Sequence, residues 1–65
     1  MKAKEEDLIN YYYMGVELSE SNSKFPDWFE FYEEKIACLM GYNDYELGCV
    51  KDSNKEILEQ IWKIK

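Results

Sequence analysis

Histidine, arginine and threonine are all missing from this 65-residue sequence. Without histidine the chain lacks the side chain that titrates nearest neutral pH and the most frequent metal-binding imidazole. A zinc site would have to be completed by carboxylates beside Cys38 and Cys49, and helical carboxylate metal sites usually add an inward-facing Glu-x-x-His. A cysteine nucleophile would have no imidazole to hold its thiolate. Without arginine the chain lacks the fork that reads phosphate or guanine in two hydrogen bonds. The three glycines, Gly15, Gly41 and Gly48, stand apart and form no phosphate-cradling loop. Two cysteines are too few for a disulfide scaffold. No enzyme activity, cofactor or metal is expected.

Long apolar runs are also missing. Nothing approaches the roughly 18 residues of a membrane span, and Met1-Lys2-Ala3-Lys4-Glu5-Glu6-Asp7 lacks the apolar core of a signal peptide. The expectation is a cytoplasmic protein with reduced thiols, in which Cys38 and Cys49 act as small buried hydrophobes.

What the chain does contain is acid and aromatic rings. Fourteen Asp and Glu face eight Lys, for a net charge of −6. That charge repels nucleic-acid backbones and anionic membranes, so no direct nucleic-acid or membrane contact is expected. The excess is local: Glu17, Glu20, Asp27, Glu30, Glu33 and Glu34 face only Lys24 between residues 17 and 34. Six Tyr, three Phe and two Trp are more rings than so small a helical core needs. The heavy use of Lys, Asn, Ile, Tyr and Glu resembles a low-GC coding bias and points to a bacterial or phage source.

Periodicity predicts an all-α single domain over residues 1–65, a small three- to four-helix bundle with helices at roughly 4–18, 27–40, a short 44–50 and 54–65. In the first, Leu8, Ile9, Tyr12, Tyr13 and Val16 share a face at about 100° per residue. Gly15 and the Tyr11-Tyr12-Tyr13 triplet weaken it, and a strand over residues 9–18 is the alternative. Ser19 to Lys24 reads as a loop.

The second helix places Trp28, Phe29, Tyr32, Ile36, Leu39 and Met40 toward a core, with Asp27, Glu30, Glu33, Glu34 and Ala37 opposite. It starts with Asp27 as cap and Glu30 three residues on, or with Pro26 in the first turn, and Gly41 ends it as a left-handed cap. Asn43 would cap the short third element, with extended chain over residues 47–51 as its competitor. Ser53-Asn54-Lys55-Glu56 is a capping box, and Ile57, Leu58, Ile61, Trp62 and Ile64 form the last apolar stripe. The core seam is then Trp28, Tyr32, Ile36 and Leu39 against Ile57, Ile61 and Trp62.

Phe31, with Tyr11, Met14 and Leu18 on the first helix, falls on apolar flanks outside those seams. These flanks belong either to a larger core or to a contact surface. The acids beside them, read as a solvated face or as a steering surface, select the partner. The expected function is a non-enzymatic protein-binding module. Its site would be Glu17, Glu20, Asp27, Glu30, Phe31, Glu33 and Glu34, engaging another protein with a basic surface.

In gross character, a very short, acidic, arginine-free chain with surplus aromatics is similar to phage-encoded inhibitors that block host or defence factors. Asp27, Glu30 and Glu34, extended by Glu17 and Glu20 if the first helix returns beside the second, would space carboxylates like neighbouring phosphates, and so mimic nucleic acid on a nucleic-acid-binding protein. The alternative is a structural or regulatory homo-oligomer, a homodimer in its simplest form, burying the surplus flanks across a two-fold axis.

Overall fold

The computed structural model describes residues 4–64, which form three helices and, among the described residues, no strand. α1 runs Glu5–Glu20, α2 runs Tyr32–Leu47 and α3 runs Asn54–Ile64. The first and last sit close to their expected places, Lys65 lying outside the described residues. The Tyr triplet is helical, so the strand alternative is not realised. Acids Glu5, Glu6 and Asp7 occupy the first turn of α1, where they complement the positive end of the helix dipole. Asn22, in the left-handed region at φ 57°, closes α1. The N–H of Asn22 donates to the Ser19 carbonyl at 3.1 Å and that of Ser23 to the Leu18 carbonyl at 2.8 Å, the paired bonds of a Schellman end.

The middle of the chain differs from the expected 27–40 helix at both ends. Residues 23–29 are irregular, and α2 begins five residues late because Glu34 supplies the start. Its Oε1 accepts the backbone N–H groups of Phe31 and Glu30, both at 3.1 Å, satisfying donors that a helix N-terminus otherwise leaves open. Asp27 and Glu30 keep the cap-plus-three spacing but do not start a helix. At the other end the helix passes through Gly41 and stops at Gly48, which adopts φ 74°. The Gly48 and Cys49 N–H groups donate to the Tyr45 and Asp44 carbonyls at 3.1 and 2.9 Å. Residues 44–47, expected in a separate short helix, are the last turn of α2. Ser53 caps α3 as its sequence indicates, Oγ accepting the Glu56 N–H at 3.5 Å.

Gly41 has a different task from ending a helix. A Cβ on Gly41 would collide with the carbonyl of Tyr12, and a Cβ on Gly15 would collide with the carbonyl of Cys38. The two glycines let the α1 and α2 backbones touch at their crossing. The face of α2 turned to α1 is consequently the small side, with buried Ala37, Cys38 and Gly41 together with Glu34. Ala37 had been expected on the opposite side.

Leu8, Tyr12, Ile36, Ala37, Met40, Ile57 and Ile61 form the core. Ile36, Ile57 and Ile61 match expectation, whereas Trp28, Tyr32 and Leu39 are exposed, and Trp62 and Tyr13 are more than one-third exposed. α1 and α2 pack along their lengths, while α3 touches each over a short stretch.

Gly41→Ala and Gly15→Ala distinguish a crossing glycine from a tolerated one. In an open helix either change would stabilise by about 1 kcal/mol. At this crossing each is expected to destabilise by about 3 kcal/mol or more, since backbone atoms must separate to admit the methyl group. Denaturant unfolding of the two variants gives the sign directly.

Candidate functional site

Two surfaces carry the side chains that the core leaves over. The first lies where residues 25–29 cross the α1/α2 pair. Phe25 meets Tyr42 edge-on at 5.9 Å and Phe29 at 6.0 Å between ring centroids. Phe29 in turn meets Tyr11 at 5.6 Å and Trp28 at 4.9 Å, and Trp28 reaches Tyr11 at 6.2 Å. These separations are those of favourable aromatic pairs, and the ring contacts hold the irregular segment across the helices instead of letting it continue α2 toward Pro26. Trp28 ends the chain of rings 61% exposed, between exposed Asp27 and Glu30. Partial burial, then the carboxylates of Glu34, Asp7 and Glu30, push the Tyr11 phenol above its usual pKa, so acid surrounds the rings.

The expected site residues divide here. Glu17, Glu20, Asp27 and Glu30 are exposed, and Phe31 is half-buried against the core. Glu33 and Glu34 are buried. Glu34 is committed to the start of α2 through its two backbone bonds, so the acidic stripe does not continue along that helix as a solvated face. The rings that complete the surface, Trp28, Phe29 and Tyr11, were assigned to the core or left on a flank by periodicity. Their signal was the surplus of aromatics around Pro26, where a helical wheel does not apply.

The second surface is a cleft of about 340 Å³ between α2 and α3, lined by Tyr32, Ile36, Leu39, Met40 and Ile64 with Asn43, Asp44, Lys51 and Gln60 at its polar end. A network the sequence did not indicate holds that end. The Tyr12 hydroxyl donates to Asp44 Oδ2 at 2.7 Å, Lys51 Nζ donates to the same oxygen at 2.8 Å, and the Lys51 backbone N–H donates to the Tyr12 hydroxyl at 2.8 Å. Tyr12 is fully buried, and Asp44 is nearly so. Burial, and then the bond to Asp44, push the Tyr12 phenol well above its usual pKa. The phenol therefore stays a donor and ties α1 to α2 and to the loop before α3. Its partners lie 32 and 39 residues away in sequence, beyond the reach of any local spacing rule.

The two cysteines separate as well. Cys38 is buried in the α1/α2 crossing, with its thiol pushed up to about 11 by burial, whereas Cys49 is exposed and not the buried hydrophobe expected; both are free. Among the described residues no group of three or more His, Cys, Asp or Glu could hold a metal ion, and no helix is long and apolar enough to cross a membrane. No protein-family model, curated protein or solved structure matches this chain. What the site can do is therefore argued from its own geometry.

The Tyr12 network and Cys38 together set an alkaline limit. Both are acids held protonated by the fold, so their contribution is fully present below the unfolded pKa and lost as pH rises above it. Cys38 acts between about pH 9 and 11, and Tyr12 from about pH 10 upward. Cys38→Ala is expected to remove a fall of about 2 kcal/mol across pH 9–11. Tyr12→Phe, which strips Asp44 and the Lys51 N–H of a buried partner, is expected to cost about 1–3 kcal/mol at neutral pH. Urea titrations at pH 7, 9, 10 and 11 measure both.

Proposed function

We propose that this chain is a non-enzymatic protein-binding module whose contact surface is the ring cluster around Trp28 and the acids beside it. The observation that carries the reading is Trp28 itself: an indole 61% exposed, braced by Tyr11 and Phe29 and set between Asp27 and Glu30. A tryptophan already fixed by neighbouring rings loses little freedom on binding, and such anchors dominate interface energies. The flanking carboxylates select a basic partner and speed its approach. Lysine or arginine of that partner can lie across the indole face while its charge meets Glu30 or Asp27.

A nucleic-acid-binding host or defence protein is the partner class that such a surface fits, and a phage-type inhibitor occupying its basic groove is the concrete form of the proposal. Asp27 and Glu30, exposed beside Trp28, serve that role, while Glu17 and Glu20 are exposed on α1 away from the Tyr11 side of that helix. Glu34 contributes indirectly by fixing where the loop ends and the helix begins.

The test is affinity capture from the source cell with the wild-type chain, Trp28→Ala and an Asp27→Lys/Glu30→Lys variant. Capture of a basic protein should weaken as salt rises and fall at least about tenfold in either variant. Trp28→Ala should cost the module itself only about 1 kcal/mol of stability, as befits rings packed at the surface. Undiminished capture by both variants would reject this surface as the site.

A further inference from the structure

α2 presents a second apolar face that the fold leaves open. At about 100° per residue, Tyr32, Ile36, Leu39, Asn43 and Leu47 fall within about 80° of one another, opposite the Glu34, Ala37, Cys38 and Gly41 side that α1 covers. α3 covers one edge of this face, forming the cleft with Ile36 and Leu39. The rest of the face, and its edge away from α3, are open: Tyr32 is 67% exposed, Leu39 43% and Leu47 77%. Positions 32, 36, 39 and 43 alternate by four and three, the spacing of a helix seam that packs against another helix. A single polar residue, Asn43, interrupts the seam at the polar end of the cleft.

We infer that this face binds a second copy of the chain, with the two α2 helices antiparallel across a two-fold axis near Leu39 and Met40. The charges on the free edge decide both the occupant and the direction. Lys35 and Glu46 are exposed and lie on the edge away from α3, one near each end of the helix. When a two-fold axis crosses the helices at right angles, each edge meets the same edge of the other copy reversed end for end. Lys35 then lies about 3 Å along the axis from the partner's Glu46, within reach of its long side chain, and Glu46 likewise from the partner's Lys35, so the edge is complementary to itself. Tyr32 falls against the partner's Leu47, and Ile36 beside the partner's Asn43. A parallel pair would bring Lys35 to the α3 side of its neighbour and lose both ion pairs.

The dimer uses neither Trp28 nor the acids beside it, so it stands or falls separately from the partner-binding surface. Sedimentation equilibrium over a wide concentration range is expected to show a monomer–dimer equilibrium. Leu39→Glu, at a side chain exposed in the monomer, abolishes the dimer while far-UV circular dichroism stays helical. Lys35→Glu or Glu46→Lys alone weakens it at low salt by about five- to tenfold, from two lost attractions and two new repulsions. The double variant Lys35→Glu/Glu46→Lys restores it. A strict monomer up to about millimolar concentration overturns the inference, as does a dimer indifferent to Leu39→Glu. Failure of the double variant to recover overturns the antiparallel arrangement.

Discussion

Everything in this fold follows from the contact of two backbones where α1 crosses α2. Gly15 lies on the Cys38 carbonyl and Gly41 on the Tyr12 carbonyl, a reciprocal pair that admits no side chain at either position. Two helices that approach so closely gain dense main-chain packing but fill their shared interface with little side-chain volume. Ala37 and Cys38 complete the small surface on the α2 side. Tyr12 starts within the crossing and reaches out of it to Asp44 and the Lys51 N–H. The crossing and the buried polar network are thus one unit, and the loop before α3 is hung from it.

A close crossing in a short chain has consequences for large side chains elsewhere. The volume that tyrosine, tryptophan and leucine would have filled between α1 and α2 is not there, so those residues must pack around the pair. Phe25 and Phe29 do so from the irregular segment that crosses it, linking Tyr42 to Tyr11. Ile57 and Ile61 close the far side from α3. Trp28, Tyr32, Leu39 and Leu47 remain outside.

How much of this was legible in the sequence depended on whether the signal was local. Ser53 and the Ile57–Ile61 pair are local to α3, and its start and buried pair read correctly; Trp62 and Ile64, expected in the same stripe, are 37% and 58% exposed because α3 touches its neighbours only over a short stretch. Leu8 and Tyr12 obey helical spacing in α1, and both are buried. Gly41 did not read correctly, because a glycine that ends a helix and one that lets another backbone approach are the same residue; only the partner helix tells them apart. Mistaking it for a stop shortened α2 and made residues 44–47 look like a separate element. The apolar periodicity of Tyr32 and Leu39 marks a different face of α2 from the small one that α1 covers. Asp27 and Glu30 repeat the cap-plus-three pattern that Phe31 and Glu34 use in part, and the ring contacts of Phe25 and Phe29 decide between the two registers. Asp27 and Glu30 stay exposed beside Trp28, as their place in the sequence indicates. The burial of Glu33 and Glu34 did not show, since burial of a carboxylate against its own helix start leaves no mark in composition.

The two proposed surfaces share a single physical origin. A domain of this length that joined its first two helices through large side chains would have few left to expose. Joining them through glycine, alanine and cysteine leaves the rings of the 25–29 segment and the outer stripe of α2 unspent. Charge then differentiates them. The ring cluster sits among Asp7, Asp27 and Glu30, and its field favours a cationic partner unlike itself. The α2 stripe is edged by Lys35 at one end and Glu46 at the other, a pattern that matches its own reversed copy. The same crossing therefore leaves two unspent surfaces that differ in charge pattern, one uniformly acidic around its rings and one with opposite charges at its two ends.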